Sequence, residues 1–355
     1  MDVASFNKIL EIAFEKSVSD VHFEVDNPPF FRARGQLVRS KLPNLTKEDT
    51  KFIATAILKQ NNRELPDDFS EFDAAYSLPA GGRFRVSIFR QKSCIGLVMR
   101  AIPPQIGTFK ELKLPNVLGD IVKAPNGLIL VTGPTGNGKS TTLASMLRGI
   151  NENFNYNIIT IEDPIEFIFK SSKSCIIQRE VGIDTQSFSN ALKAALRMDP
   201  DVIMVGEMRD LETIDACIKA AETGHLVFST LHTQNASTTI NRLIGHFPPD
   251  SQEIMRQRLA DILVATVSLR LVKDATGENI VPVVEVMRST TTIQACIREG
   301  RLDEIEKHIE KGRDQYHMQS MDQHLIELCQ QKIITLDEAK RISRSSDLER
   351  KLTFT

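Results

Sequence analysis

Residues 133 to 141 read GPTGNGKST and directly follow the apolar run Gly127-Leu128-Ile129-Leu130-Val131. They set Gly133, Gly138, Lys139 and Ser140 at the spacing G-x-x-x-x-G-K-S. At a glycine usage of about 7%, a random chain of this length meets that spacing about once in a hundred. Here a strand pattern precedes it and a helical pattern reaching toward Ile150 follows. Glycines let backbone N–H groups converge on anionic oxygens with no Cβ in the way, and a helix N-terminus adds favourable partial charge. The sequence therefore points to a phosphate-binding loop. Lys139 reaches the β and γ phosphates of ATP, Ser140 ligates Mg2+, and Gly133, Thr135, Gly136, Asn137, Gly138 and Thr141 complete the cradle.

A chain of 355 residues is long for one average core, so two domains are expected. Its 44 basic and 46 acidic side chains create no global field toward nucleic acid or anionic lipid, and no nucleic-acid partner is expected. Cys94, Cys175, Cys217, Cys296 and Cys329 are far apart and form no C-x-x-C pair, which fits a reduced cytoplasmic compartment. The N-terminus lacks the order of a signal peptide, and no run approaches the roughly 18 apolar residues of a membrane span.

Along the chain, Phe6, Ile9, Leu10, Ala13 and Phe14 follow helical spacing, and Ser19 to Val25 alternates as a strand does. Phe31 to Val38 reads as strand with a turn at Gly35, Thr46 starts an amphipathic helix, and Gly81-Gly82 turns into the strand Arg83 to Arg90. Alternation puts Arg83 and Arg85 on one face of that strand and Phe84 and Val86 on the other. Ile102-Pro103-Pro104 and Leu114-Pro115 bracket a linker, giving an α+β module over 1–105 and a second domain over 106–355. In the second, strands at Leu128 to Val131, Ile158 to Ile161, Val202 to Val205 and Leu226 to Ser229 alternate with helices from Lys139, Ser187 and Leu211. That order implies α/β architecture with a parallel sheet. From about Asp250 the pattern is mostly helical, with one strand at Ile280 to Val286.

A phosphate-binding loop of this kind works with carboxylates at neighbouring strand ends, one on the metal and one orienting the attacking water. Ile158 to Ile161 runs into Glu162-Asp163-Pro164-Ile165-Glu166, and Glu162 is the candidate for polarising water. Val202 to Val205 leads through Gly206 to Glu207, which is expected to act on Mg2+ although many ATPases have aspartate where Gly206 stands. Acids after strands also serve as helix caps or surface charges. His225 and His232 flank the strand between them. His232, at its C-terminal end, is placed to sense the γ phosphate, with Thr230 and Thr233 as hydrogen-bond relays; a satisfied structural histidine is the plainer reading.

Several of these stretches together resemble the type IV pilus retraction ATPases, the PilT family of secretion ATPases. They are Ser19-Asp20-Val21-His22, Arg83-Phe84-Arg85-Val86, GPTGNGKST, Thr160 to Glu166, Val205-Gly206-Glu207-Met208-Arg209-Asp210, and Thr223-Gly224-His225 through Leu231-His232-Thr233. The resemblance runs nearly the whole length and includes Met318 to Asp322. It implies a PAS-like N-terminal domain, a RecA-like P-loop ATPase domain with a mainly helical C-terminal part, and a homohexamer. That ring is expected to be cytoplasmic and peripheral at the inner-membrane pilus base. There it acts on a platform protein to depolymerise pilin, with a paralogous pilus ATPase as a further partner. It also implies that Glu162 is the catalytic glutamate, Glu207 the Walker B glutamate, His225 and His232 histidine-box residues, and Arg85 a nucleotide-contacting arginine. The chain departs from the family at Asn137, where serine is usual, at Gln234, and at Thr292 to Ile297, where the family has AIRNLI. Gln294 and Ala295 there replace an arginine and an asparagine, which keeps open an alternative: an accessory or regulatory ring subunit with little turnover of its own. A nucleic-acid translocase on the same core would require a basic channel that the near-neutral charge does not support.

Overall fold

The computed structural model describes residues 1–16, 18–33, 35–102 and 105–343; Pro103 and Pro104 of the expected linker lie outside the described residues. The chain divides into two compact units, Met1–Gln105 with Glu166–Ile168, and Ile106–Ile165 with Phe169–Thr355.

In the first unit, α1 (Val3–Glu15) precedes β1 (Asp20–Phe23), β2 (Phe30–Ala33) and β3 (Gln36–Arg39). Next come α2 (Lys47–Gln60), β4 (Glu71–Ser77), β5 (Arg83–Gln91) and β6 (Cys94–Ile102). Thr46 caps α2 in a reciprocal box with Asp49, satisfying two otherwise orphaned N–H groups. The sheet order is β3-β2-β1-β6-β5-β4 and every pairing is antiparallel. Alternation on β5 works as expected: Phe84, Val86 and Ile88 are buried with Phe6, Leu10, Ile53 and Ile57, while Arg85 is exposed. Each such fully buried side chain contributes about 1.5–3 kcal/mol, which is what holds two helices against one sheet face.

The second unit opens with the short α3 (Leu118–Ile121), then β7 (Gly127–Thr132), α4 (Lys139–Asn153), β8 (Asn157–Glu162), β9 (Cys175–Glu180) and α5 (Phe188–Ala195). It continues with β10 (Val202–Val205), α6 (Leu211–Glu222), β11 (Leu226–Leu231), α7 (Ala236–Gly245), α8 (Gln252–Ile262), β12 (Leu263–Lys273) and β13 (Ile280–Arg288). The chain then turns helical: α9 (Thr291–Glu299), α10 (Ile305–Lys311), α11 (Arg313–Tyr316), α12 (Met321–Gln330) and α13 (Leu336–Ile342). The sheet order is β13-β12-β7-β11-β10-β8-β9. All neighbours are parallel except β12 and β13, an antiparallel pair at one edge. Successive residues of β7 face opposite cores: Leu128 and Leu130 one way, Ile129 and Val131 the other. The four strands expected from the sequence, β7, β8, β10 and β11, pair in parallel as expected, and the periodicity misses both β12 and β9.

His324 on α12 is a structural histidine of this unit: its Nδ1 accepts the Val284 N–H at 2.9 Å. Burial pushes its imidazole from 6.5 down to about 4, with Glu327 pulling upward and Arg313 downward. Its neutral form is matched to the fold, so the contribution is full above the unfolded value and is lost as pH falls from about 6.5 toward 4. We expect this one residue to remove about 3 kcal/mol between neutral pH and pH 4. Denaturant midpoints measured against pH for the wild type and His324→Gln test this, because the variant should have the shallower slope.

Candidate active site

The loop leaves β7 at Thr132 and enters α4 at Lys139. Gly133 has φ 143°, and a Cβ there would stand 2.5 Å from the Leu269 carbonyl oxygen on β12, so a side chain cannot fit without moving the sheet. Asn137 braces the same loop: its Oδ1 accepts the Leu271 N–H at 2.9 Å and its Nδ2 donates to the Thr135 carbonyl at 3.2 Å. Asn137→Ala removes that brace, at about 1 kcal/mol for the neutral bonds lost. ADP affinity measured calorimetrically should therefore fall about fivefold.

Lys139 is buried, with Nζ 2.9 Å from the Gly133 carbonyl oxygen and 3.2 Å from that of Pro134. The same Nζ and the Thr135 hydroxyl each lie 3.3 Å from His232 Nδ1. His232 follows β11, the strand beside β7, and its Nε2 lies 3.0 Å from Glu207 Oε1. Two donors face Nδ1 and a carboxylate faces Nε2, so the hydrogen-bond network assigns the ring proton to Nε2. Arg209 Nε holds the other Glu207 oxygen at 2.8 Å. The network runs across the carboxyl ends of β7, β11 and β10, where open α/β sheets present their ligands. Ser140 in the first turn of α4 and the Glu207 carboxylate are hard oxygen donors of the kind Mg2+ takes.

Glu162 ends β8, beside β10, and is only 6% exposed. Its Oε1 accepts from the Thr160 hydroxyl at 2.7 Å and from Gln178 Nε2 at 3.1 Å. A Cβ at residue 206 would lie 3.3 Å from the Ile161 carbonyl oxygen and 3.5 Å from Glu162 Cα. A side chain at 206 would therefore meet the end of β8 closely, and glycine leaves that contact relaxed. Gln178 sits on β9, and nothing in the sequence pattern pointed to it.

Other expected residues are placed elsewhere. Thr230 donates to the Gly206 carbonyl at 2.7 Å and the Thr233 hydroxyl pairs with that of Thr239 at 2.6 Å, so both threonines brace backbone and loop instead of relaying to His232. His225 Nδ1 lies 2.8 Å from the Ala220 carbonyl oxygen, at the other end of β11 from His232. The length of β11 puts the two histidines about 20 Å apart, so the structure does not bring His225 to the loop of this chain. Arg85 belongs to the first unit, is exposed on β5, and lies 3.9 Å from Asp73.

The fold and this site define a P-loop ATPase with a RecA-like core. The sequence matches the family described as Type II/IV secretion system protein over residues 3–350, and the chain belongs to that family. It is 40% identical over 333 residues to the Pseudomonas aeruginosa protein named type IV pilus retractation ATPase PilT, covering 94% of this chain and 96% of that one. It is 38% identical over 334 residues to the type IV pilus ATPase PilU of the same organism, covering 94% and 87%. Among solved structures, the pilus retraction motor PilT with bound ADP matches with a TM-score of 0.88 at 42% identity, covering 97% of this chain and 98% of that one.

Proposed function

We propose that the protein is a hexameric motor that couples MgATP hydrolysis to type IV pilus retraction, working against an inner-membrane platform protein from the cytoplasmic side. The observation that carries this reading is 40% identity to a retraction ATPase over 94% of this chain and 96% of that one. The hydrogen-bonded unit of Lys139, His232 and Glu207 supports it. Among the described residues no helix is long and apolar enough to cross a membrane, in keeping with a peripheral location.

In this reading Lys139 exchanges its loop carbonyls for β and γ phosphate oxygens. Because His232 touches Lys139 on one side and Glu207 on the other, a change at the lysine reaches the carboxylate through one ring. Ser140 and Glu207 hold Mg2+, which when bound neutralises charge developing on the phosphates. Glu162 orients the attacking water, and Arg85 is the residue of the first unit assigned to the nucleotide. His225 is left out of the chemistry of its own chain.

A second reading, an accessory ring subunit working with a paralogous motor, is supported by the 38% identity to PilU and by the altered Thr292 to Ile297 stretch. Steady-state MgATP hydrolysis across a protein concentration series, with mass measured by light scattering on the same samples, separates the two. Turnover that rises as rings assemble is the expected result. An assembled ring that binds nucleotide without turnover would favour the accessory subunit.

A further inference from the structure

The Thr292 to Ile297 stretch lies in α9. α9 ends in a Schellman turn: Gly300 is left-handed with φ 73°, its N–H points to the Ile297 carbonyl at 3.2 Å, and the Arg301 N–H donates to the Cys296 carbonyl at 2.9 Å. The reversal returns the chain through a short 3-10 turn into α10. Glu304 at the start of α10 and His308 one turn later share a face. That face meets Cys296: its Sγ, a Glu304 carboxylate oxygen and a His308 ring nitrogen all lie within 4.8 Å of one another. Cys296 is fully buried, whereas the side chains of Glu304 and His308 are 37% and 26% exposed. The triangle is closed by protein on one side and open to water on the other.

We propose that Cys296, Glu304 and His308 form a Zn2+ site, completed by a water molecule, that clamps α10 to α9. Zinc takes sulfur at about 2.3 Å and nitrogen or oxygen at about 2.0–2.2 Å in a tetrahedron, so its ligand atoms stand roughly 3.3–3.7 Å apart. Zinc binding would draw the three ligand atoms together from their present spacing of up to 4.8 Å. A thiolate with an imidazole and a carboxylate is too soft a set for Mg2+, which prefers oxygen, so this site does not compete with the nucleotide site for its ion. Arg301 now contacts Glu304 through Nη1 and Glu299 through Nε at 2.7 Å. If Glu304 turns to the metal, Arg301 keeps Glu299 and no cation is left unpaired. Burial raises the Cys296 thiol while Arg301 lowers it. The thiol proton must leave when zinc binds, so affinity rises with pH.

The test is a titration of the chelator-treated full-length protein with Co2+, followed by Zn2+, read by absorbance. The proposal expects one equivalent per chain to give a thiolate-to-cobalt charge-transfer band that Zn2+ removes. The band should be lost in Cys296→Ser and retained in Cys175→Ser, which alters an exposed cysteine. Glu304→Gln, a rim substitution that leaves packing intact, should weaken Zn2+ binding at least tenfold and remove the Zn2+-dependent rise in Tm. Absence of the band in the wild type, or a band that survives Cys296→Ser, would overturn the site.

Discussion

Lys139→Ala is expected to raise the Kd for ATP and ADP at least a hundredfold, measured calorimetrically with Mg2+ present. The lysine joins the loop to the Lys139–His232–Glu207 network. Hydrogen bonds from a charged donor to phosphate contribute about 1.5–3 kcal/mol each, so losing two of them removes about 3–6 kcal/mol of binding. That is a factor of about 10² or more in affinity. Folding should be little affected, since the Gly133 and Pro134 carbonyls that Lys139 now satisfies lie in a loop that water reaches through exposed Thr135 and Gly136. Unchanged affinity in a normally melting variant would show that the loop binds phosphate through its backbone alone and that the lysine serves another purpose.

The loop was legible in the sequence because its chemistry is local. Glycine, lysine and serine at fixed offsets need only a strand before and a helix after, and β7 and α4 supply both. Glu207 and His232 were legible for a related reason: each follows an apolar run that is buried on both faces and therefore reads as a parallel strand. What escaped was whatever depends on a partner strand. β12 follows α8 with no turn residue between Ile262 and Leu263, so its apolar positions read as a continuation of the helix. Yet β12 is what Gly133 packs against and what Asn137 holds. β9 is half-polar, and Gln178 on it acquires meaning only because Glu162 stands opposite. The relay assigned to Thr230 and Thr233 failed because a hydroxyl near a strand end usually finds a backbone carbonyl or a neighbouring hydroxyl first.

Glu162→Gln is expected to lower kcat by 10²–10⁴, the usual range for loss of a positioned proton acceptor, while nucleotide affinity stays within about twofold. The substitution is a clean one here. The Thr160 hydroxyl and Gln178 Nε2 donate to the same oxygen of Glu162, Oε1. A glutamine can present its carbonyl oxygen to both, so these two bonds survive while the charge and basicity of the group are lost. The result also decides between two carboxylates. β8 is separated from β7 by β10 and β11, about 14 Å at the usual strand spacing, whereas Glu207 already touches the histidine that touches Lys139. Unchanged turnover in Glu162→Gln together with loss in Glu207→Gln would move the water-orienting role to Glu207. Loss in Glu162→Gln with binding intact would instead make the catalytic carboxylate the one that the end of β8 keeps buried.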